Sequence, residues 1–462
     1  MRSNRVQRVE RGGALRERCV FGAAFIISLL LIGRAIHELV HWPRMLVDQG
    51  APAWLAQSVM VIAFIAIFSA CRWSVLFLCS FLAHRRPYHP FASLSEQPFV
   101  SILVPCFNEE QTIAPALESL LELDYPAYEL IVVNDGSTDA TLARAAAFQG
   151  EHGGCAVRVY DKPNGGKWAA LNFGFHRANG TLMLCVDADS RLERDSLSRM
   201  VARMADPAVS AVAGQVRVRN RVNLITRVQG LEYLMGNGAV RQAQGLFRCV
   251  LVIPGPIGLF RASVLQEVER RFGGDAAPAS DRVPGPFEGD TFAEDFDVSI
   301  AILCVGGHIV YEPEAISHTT APDTLFALMN QRYRWIRGSL QVVRKLMRRA
   351  TADPGVLSPR LVAWSTWVLI PDCLIIPMAS IAGYAVLLIL LVSETELRPL
   401  FAWYGAFLVL QASAGAFFVG VHRDRASTLA ALPALGIYSS FVLTCAWIVS
   451  MVDEVRNARM RW

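Results

Sequence analysis

Polar and apolar positions along this 462-residue chain follow three different patterns. Long apolar runs lie at both ends, near Cys19–Val40, Trp54–Leu82, Leu361–Val392, Leu400–Val421 and Leu429–Val452. Each reaches the roughly 20 residues a helix needs to cross a bilayer core, so about five spans are expected. The Leu361–Val392 run is too long for one straight span, and Pro371, Asp372 and Pro377 predict a kinked, re-entrant or partly interfacial course. Between the runs, short apolar segments alternate with helical periodicity. Strands are predicted at Phe99–Pro105, Glu129–Val133, Val157–Tyr160 and Thr181–Val186, and helices at Thr112–Leu121, Thr138–Phe148 and Lys167–Arg177. Buried strands separated by helices predict an α/β domain, a mostly parallel sheet with helices on both faces. The third pattern is amphipathic. Leu325, Leu328, Met329, Ile336, Leu340, Val343 and Met347 mark an apolar helical face, and Arg337, Arg344, Lys345, Arg348 and Arg349 predict contact with lipid headgroups.

These patterns divide the chain into an N-terminal membrane region of two spans (1–86), a central domain (87–320), an interfacial amphipathic region (321–359) and a C-terminal membrane region of about three spans (360–462). The Gly- and Pro-rich segment Gly273–Gly289 predicts a mobile loop. Arginines from Arg2 to Arg18 precede the first span, and no small-residue cleavage site follows, so an uncleaved span is expected. With His84, Arg85 and Arg86 after the second span, the positive-inside rule places the central domain in the cytosol, in a multi-pass protein of the cell inner membrane. His422–Arg425 is expected inside and the acidic Ser393–Glu396 outside. Arg456, Arg459 and Arg461 pull the C-terminus inward, against an odd number of spans. Composition agrees with a membrane protein: 53% of residues are hydrophobic and mean hydropathy is +0.34. A net charge of +4, with no basic stripe interleaved with aromatics, gives no support for a nucleic-acid partner. Ten scattered cysteines without a CxxC pair are read as reduced thiols.

Candidate chemistry sits where apolar runs end, because ligands of parallel sheets bind beyond the carboxyl ends of the strands. Asp187-Ala188-Asp189 follows a wholly apolar strand. Read blandly it is a solvated turn. Read as a site, its oxygens suit Mg²⁺ or Mn²⁺ and the ribose-phosphate region of a nucleotide. In Asn134-Asp135-Gly136-Ser137-Thr138-Asp139, Gly136 allows a tight turn, Ser137 or Thr138 can cap the next helix, and Asp135 can accept from a base or ribose. Pro105-Cys106-Phe107-Asn108-Glu109-Glu110 is either an acidic helix start or a wall of the same pocket, through Pro105, Asn108 and Glu109. Asn164-Gly165-Gly166-Lys167 can turn backbone N–H groups and the Lys167 ammonium toward phosphate. Glu294-Asp295-Phe296-Asp297 is an acidic helix start or the place of a general base, with Asp295 the candidate. In Gln331-Arg332-Tyr333-Arg334-Trp335, Arg334 can pair with a diphosphate and Trp335 can give a sugar ring an apolar platform.

Taken in order, these elements resemble the membrane-embedded, inverting family 2 glycosyltransferases of the processive kind, the group of cellulose, hyaluronan, chitin-oligosaccharide and poly-N-acetylglucosamine synthases. The resemblance covers roughly Phe99–Arg349 with spans on both sides. Its closest flavour is poly-N-acetylglucosamine synthase, on Pro105–Glu109, Val133–Asp139, Tyr311-Glu312-Pro313 and Gln331–Trp335. It implies a GT-A-like fold and a UDP-sugar donor. It also implies nucleotide contacts from Asp135 and Asp187, a metal ligand at Asp189, a base at Asp295, and donor and acceptor contacts from Gln331, Arg334 and Trp335, with Glu294 beside the acceptor. Gly255–Arg261 falls where such synthases line the acceptor site. Pro254-Gly255 replaces their usual Ser-Gly pair, and Gly273–Gly289 is inserted.

The expected function is therefore polymerisation of a UDP-sugar, UDP-N-acetylglucosamine first, into an exported β-linked polysaccharide. The partners are the donor, a growing polysaccharide or lipid acceptor and the bilayer, with room for a small accessory membrane subunit. Two alternatives stay open: single addition of a sugar to a lipid acceptor, and a silent sugar-nucleotide-binding subunit.

Overall fold

The computed structural model describes residues 26–85, 97–273, 284–392, 397–422, 424 and 426–458. Arg2–Arg18, the start of the first expected span, Arg86, residues 274–283 of the Gly- and Pro-rich segment, the Ser393–Glu396 loop, Arg423, Arg425, Arg459 and Arg461 lie outside the described residues. The chain forms two compact units, one of Met1–Phe77 with Leu374–Thr444, the other of Leu78–Cys373 with Cys445–Trp462.

In the first unit, the helix over 26–48 packs Leu39, Trp42 and Leu46 against Leu55, Val59 and Leu390. Three helices among the described residues are long and apolar enough to cross a membrane: Ala53–His84, Pro359–Val392 and Arg398–Val421. They carry exposed Phe64, Leu388 and Phe401, as a lipid-facing surface requires. Two of the five expected spans differ from this pattern. The described part of the first is diluted by Arg34, His37 and Glu38. The last, Leu429–Val452, is broken into Ala426–Ala431, Leu432–Ile437, Tyr438–Val442 and Leu443–Val455, with Pro433 and Gly436 at the breaks. The expected interruption near Pro371 is absorbed instead. Wide π-type turns at Ser365–Leu369 and Pro371–Ile375 let Pro359–Val392 continue as one helical run.

The second unit is built on one nine-stranded sheet. Its strands are β1 (Val100–Cys106), β2 (Tyr128–Asp135), β3 (Gly150–His152), β4 (Cys155–Lys162), β5 (Leu182–Cys185), β6 (Arg191–Leu192), β7 (Ala211–Val218), β8 (Gly258–Arg261) and β9 (Ile309–Thr319). They lie in the order β3-β4-β2-β1-β5-β8-β7-β9-β6. The half formed by β4, β2, β1 and β5 is parallel, as its unbroken apolar runs predict. The other half is not: β8 runs antiparallel to β5 and β7, β6 antiparallel to β9, and only β7 with β9 is parallel. The sheet is mixed rather than mostly parallel because β3, β6 and β8 run antiparallel to their neighbours, and β8 is only four residues long, too short to stand out in sequence.

Registers of Val104 with Val132 and of Leu103 with Cys185 bring the carboxyl ends of β2, β1 and β5 side by side. Three helices complete the frame: α1 (Lys167–Phe175), α2 (Glu294–Cys304) and α3 (Leu325–Ala352). The predicted Thr138–Phe148 helix is shorter, Thr141–Ala146, and Asp139 Oδ1 accepts its Thr141 N–H at 2.9 Å. Ser137 and Thr138 do not cap it, because both are engaged by Asn108.

One buried acid ties the central strands together. Glu129, 1% exposed on β2, accepts from Ser101 Oγ at 2.7 Å and Asn179 N at 2.9 Å and pairs with Arg158 at 3.0 Å. Glu129→Ala leaves the buried Ser101 hydroxyl and the part-buried Asn179 N–H without their acceptor, a loss of about 2–3 kcal/mol. The midpoint of thermal unfolding in detergent should fall by about 5–10 °C. An unchanged midpoint would show that this network carries no stability.

Candidate active site

A cleft of about 310 Å³ opens where β1 and β5 end, lined by Pro105, Lys167, Asp187, Gly255, Glu294 and Asp295 together with apolar Ile253, Phe260 and Phe287. Its charged groups come from three stretches of chain. Asp187 follows β5 directly. Lys167 begins α1, after Gly166 at φ 89°. Glu294 and Asp295 form the first turn of α2, where the helix dipole favours carboxylates. Lys167 joins them: its Nζ lies 2.6 Å from Asp187 Oδ1 and 2.9 Å from Glu294 Oε1. Burial works against the Lys167 charge, but Asp187, Glu294 and Asp295 outweigh it and hold the ammonium protonated well above the ordinary lysine value. Gly255 closes over this contact. A Cβ there would sit 2.8 Å from Lys167 Nζ and 3.3 Å from Asp187 Oδ2, so no larger residue fits without moving the ion pair.

Asp295 is also altered by this setting. Oδ2 accepts from Gly255 N at 3.1 Å and Oδ1 from Phe296 N at 2.7 Å. Burial first, then the neighbouring Glu294, push its carboxyl up to about 6, with Lys167 opposing. A carboxylate of that pKa is suited to take a proton near neutral pH. Burial lowers the pKa of Arg241, whose Nε donates to Val252 O at 3.1 Å, while Tyr311, Asp295 and Tyr233 oppose the shift. Its apolar surroundings in sequence gave no signal of such a place.

Asp189 accepts from Ser190 Oγ at 3.0 Å and from Thr319 Oγ1, at the end of β9, at 3.1 Å. Burial and then Asp187 raise its pKa, and burial together with the charges of Asp189 and Asp187 raises that of Glu109. Asp187, Asp189 and Glu109 thus share an acidic neighbourhood with Lys167 paired to Asp187, and oxygen ligands of this kind suit a hard divalent cation. A second acidic group is different. Glu288, Asp290 and Asp297 come within 4.8 Å of one another, but Lys345 contacts all three and Arg349 reaches Glu288 and Asp297, so cations of the chain already neutralise it.

The remaining candidates hold the loops of the nucleotide side. Asp135, 2% exposed, accepts from Gly165 N at 3.0 Å, from Gly166 N at 2.8 Å and from Lys162 Nζ. Its carboxylate therefore folds the Asn164–Gly166 loop. Gly136, at φ 71°, lets that loop approach; a Cβ would lie 2.7 Å from Asn164 N. Asn108 (φ 54°) donates its N–H to Ser137 Oγ at 3.0 Å and accepts from Thr138 N at 2.9 Å, and Glu109 N donates to Thr141 Oγ1 at 2.7 Å. The two strand-end motifs form one knitted wall.

On α3, Arg334 is exposed and makes no ion pair among the described residues. The buried cation of the motif is Arg332, 2% exposed, which pairs with Glu232 at 2.6 Å and lies 4.3 Å from the Trp335 ring centre. Trp335 keeps 40% exposure beside Tyr233 at 6.1 Å, a supported aromatic face. Gln331 Oε1 has no hydrogen-bond partner among the described residues. The structure records Gln331, Arg334 and Trp335 outside the cleft lining.

Residues 101–268 match the profile described as Glycosyl transferase family 2. Poly-beta-1,6-N-acetyl-D-glucosamine synthase of Staphylococcus epidermidis is 28% identical over 319 residues, 67% of this chain and 73% of that protein. The synthase of the same description from Staphylococcus aureus (strain COL) is 31% identical over 255 residues, 55% of this chain and 58% of that one. Among solved structures, the mannosyltransferase PcManGT from Pyrobaculum calidifontis, in complex with GDP-Man and Mn²⁺, superposes with a TM-score of 0.57 at 22% identity, covering 86% of this chain and 100% of that one. That likeness shows a GT-A-like fold.

The raised Asp295 has a consequence for stability. Its folded pKa of about 6 lies above the unfolded value, so its contribution is full below the unfolded pKa and is lost as pH rises through 6. Ionised Asp295 therefore costs the fold about 1–3 kcal/mol at neutral pH. Asp295→Asn should unfold at a higher temperature than the parent at pH 7.5, and the gap should shrink at pH 5. A gap equal at both pH values would exclude the shifted carboxyl.

Proposed function

This chain carries a family 2 glycosyl transferase domain and is homologous to the poly-beta-1,6-N-acetyl-D-glucosamine synthases, and from that premise we propose that it polymerises N-acetylglucosamine from UDP-N-acetylglucosamine into a β-linked polysaccharide at the cell inner membrane. The observation that carries the proposal is the convergence of Asp187, Lys167, Glu294 and Asp295 in one cleft, with the Asp295 carboxyl at about 6.

In this reading Asp135, Asn108 and Glu109 shape the pocket for the nucleotide, and Pro105 and Asp187 border the diphosphate. Asp189, with Asp187, would hold Mg²⁺ or Mn²⁺, which would supply neutralisation of the diphosphate charge. Asp295 takes the proton of the acceptor hydroxyl. The oxygen attacks the anomeric carbon from the face opposite the diphosphate, the glycosidic C–O bond forms, and the bond to the diphosphate breaks with its electron pair leaving on UDP. Lys167 is already charged, and it steadies Asp187 and Glu294 throughout. Exposed Arg334 is available to the diphosphate, Trp335 offers an aromatic face to a sugar ring, and the unpartnered Gln331 Oε1 can accept a sugar hydroxyl. Long apolar helices support a multi-pass arrangement, and the basic His84 and Arg85 after the second span support a cytosolic catalytic domain.

Membranes containing the protein, offered a panel of UDP-sugars, should release UDP fastest from UDP-N-acetylglucosamine and only with a divalent cation. The product should run as a polymer on a sizing gel; a single added sugar would replace polymerisation by glycolipid synthesis. Asp295→Asn should bind UDP within about twofold of the parent and lose transfer by at least about 1,000-fold, an estimate for removing a general base. Full activity after exhaustive metal removal would end the role given to Asp189.

The rate should also fall on the acid side with an inflection near pH 6, because only ionised Asp295 accepts a proton. An inflection near 4, the value of an ordinary carboxylate, would move the base elsewhere.

A further inference from the structure

Basic residues on α3 read in sequence as a lipid-facing set, yet Arg337, Lys345 and Arg349 point inward. Gly338, Gln341, Lys345 and Arg349 recur at helical spacing along one edge of α3. Every one of them touches the short segment that leads into α2. Thr291 Oγ1 donates to Gly338 O at 3.4 Å, and a Cβ on Gly338 would lie 2.7 Å from Ala293 Cβ, so glycine lets the segment close on the helix. Phe292 N donates to Gln341 Oε1 at 3.1 Å. Lys345 Nζ contacts Glu288, Asp290 at 2.7 Å and Asp297 at 2.8 Å, and Arg349 reaches Asp297 Oδ1 at 3.2 Å. Asp297 is 2% exposed, so its charge depends on these two cations.

We propose that Gln341, Lys345 and Arg349 are positioning residues for Asp295, gripping the backbone on both sides of it so that its carboxylate stays under the Gly255 N–H. The segment is held before Asp295 by Gln341 on Phe292, and after it by Lys345 and Arg349 on Asp297. Between those grips lie only Ala293, Glu294, Asp295 and Phe296, too few residues to let the carboxylate drift. Gln341 also carries the grip outward. Its Nε2 donates to Glu454 Oε2 at 3.2 Å, and Glu454 pairs with Arg344 at 2.7 Å and Arg337 at 3.3 Å, while neighbouring Asp453 accepts from Tyr333 Oη at 2.7 Å. The helix Leu443–Val455 thereby buttresses the same edge of α3 that fixes the base. Met347 and Arg348, between the inward residues, are the exposed ones left for other surfaces.

The inference rests on the proposed role of Asp295, and the experiment separates the two. Lys345→Met and Gln341→Leu are made in the full chain, and UDP release from UDP-N-acetylglucosamine, UDP affinity and thermal midpoint are measured on folded protein. Turnover should fall about 10- to 100-fold, the range for a group displaced by about 1 Å, with UDP affinity within twofold of the parent. Lys345→Arg, which keeps the charge, should recover most of the loss. Gln341→Leu removes the hydrogen bonds to Phe292 N and Glu454 without removing a charge, and it decides the matter if Lys345→Met does not fold. Parental turnover in Gln341→Leu, or turnover and UDP affinity falling together, would overturn the positioning role. Near-parental turnover in Asp295→Asn would instead remove the base itself, and the positioning role with it.

Discussion

The Lys167 ammonium, 2.6 Å from Asp187 and 2.9 Å from Glu294, is the contact that makes the cleft possible. Without it, carboxylates at the end of β5 and the start of α2 would repel one another across a partly buried space. In a medium less polarisable than water that repulsion is not screened away. One cation allows several acids to share a small volume and leaves their remaining negative potential directed at whatever enters. Asp295 pays part of this cost through its raised carboxyl pKa, and that same shift makes it competent as a base.

The rest of the fold serves to hold this arrangement steady. Parallel pairing of β2, β1 and β5 sets three strand ends in line, and the two motifs that follow β1 and β2 bind each other through Asn108, Ser137 and Thr138. The antiparallel β8 then feeds the Ile253–Gly255 turn into the cleft from the other half of the sheet. α3 adds rigidity from behind, because its polar edge is occupied by the chain itself rather than by water. Relatives that share the domain need not share this edge; Gln341, Lys345 and Arg349 lie beyond the residues matched by the family profile.

The strand ends, the acidic motifs and the apolar runs were legible in the sequence because each depends on local pattern: period, turn residues and a carboxylate at the end of a buried strand. Asp187, Lys167, Glu294 and Asp295 could be named that way, though not as neighbours. Burial on α3 shows the limit, at Arg332 and Arg334. Both are arginines on one helix, and only packing against Glu232 and Trp335 makes Arg332 the buried one. Likewise no local pattern showed that Asp135 accepts from three donors of its own chain.

The sequence by itself determined the class of molecule: an α/β domain between apolar helices, with acids at strand ends. Those features follow from hydrophobic burial and backbone geometry, which act over a few residues at a time. The tertiary structure alone decided that the sheet is mixed, that Lys167 joins two acids, Asp187 and Glu294, 107 positions apart, and that the basic edge of α3 turns inward to Asp297. Those outcomes depend on which charges meet after the chain closes, and electrostatic partnership at long sequence separation leaves no periodic trace.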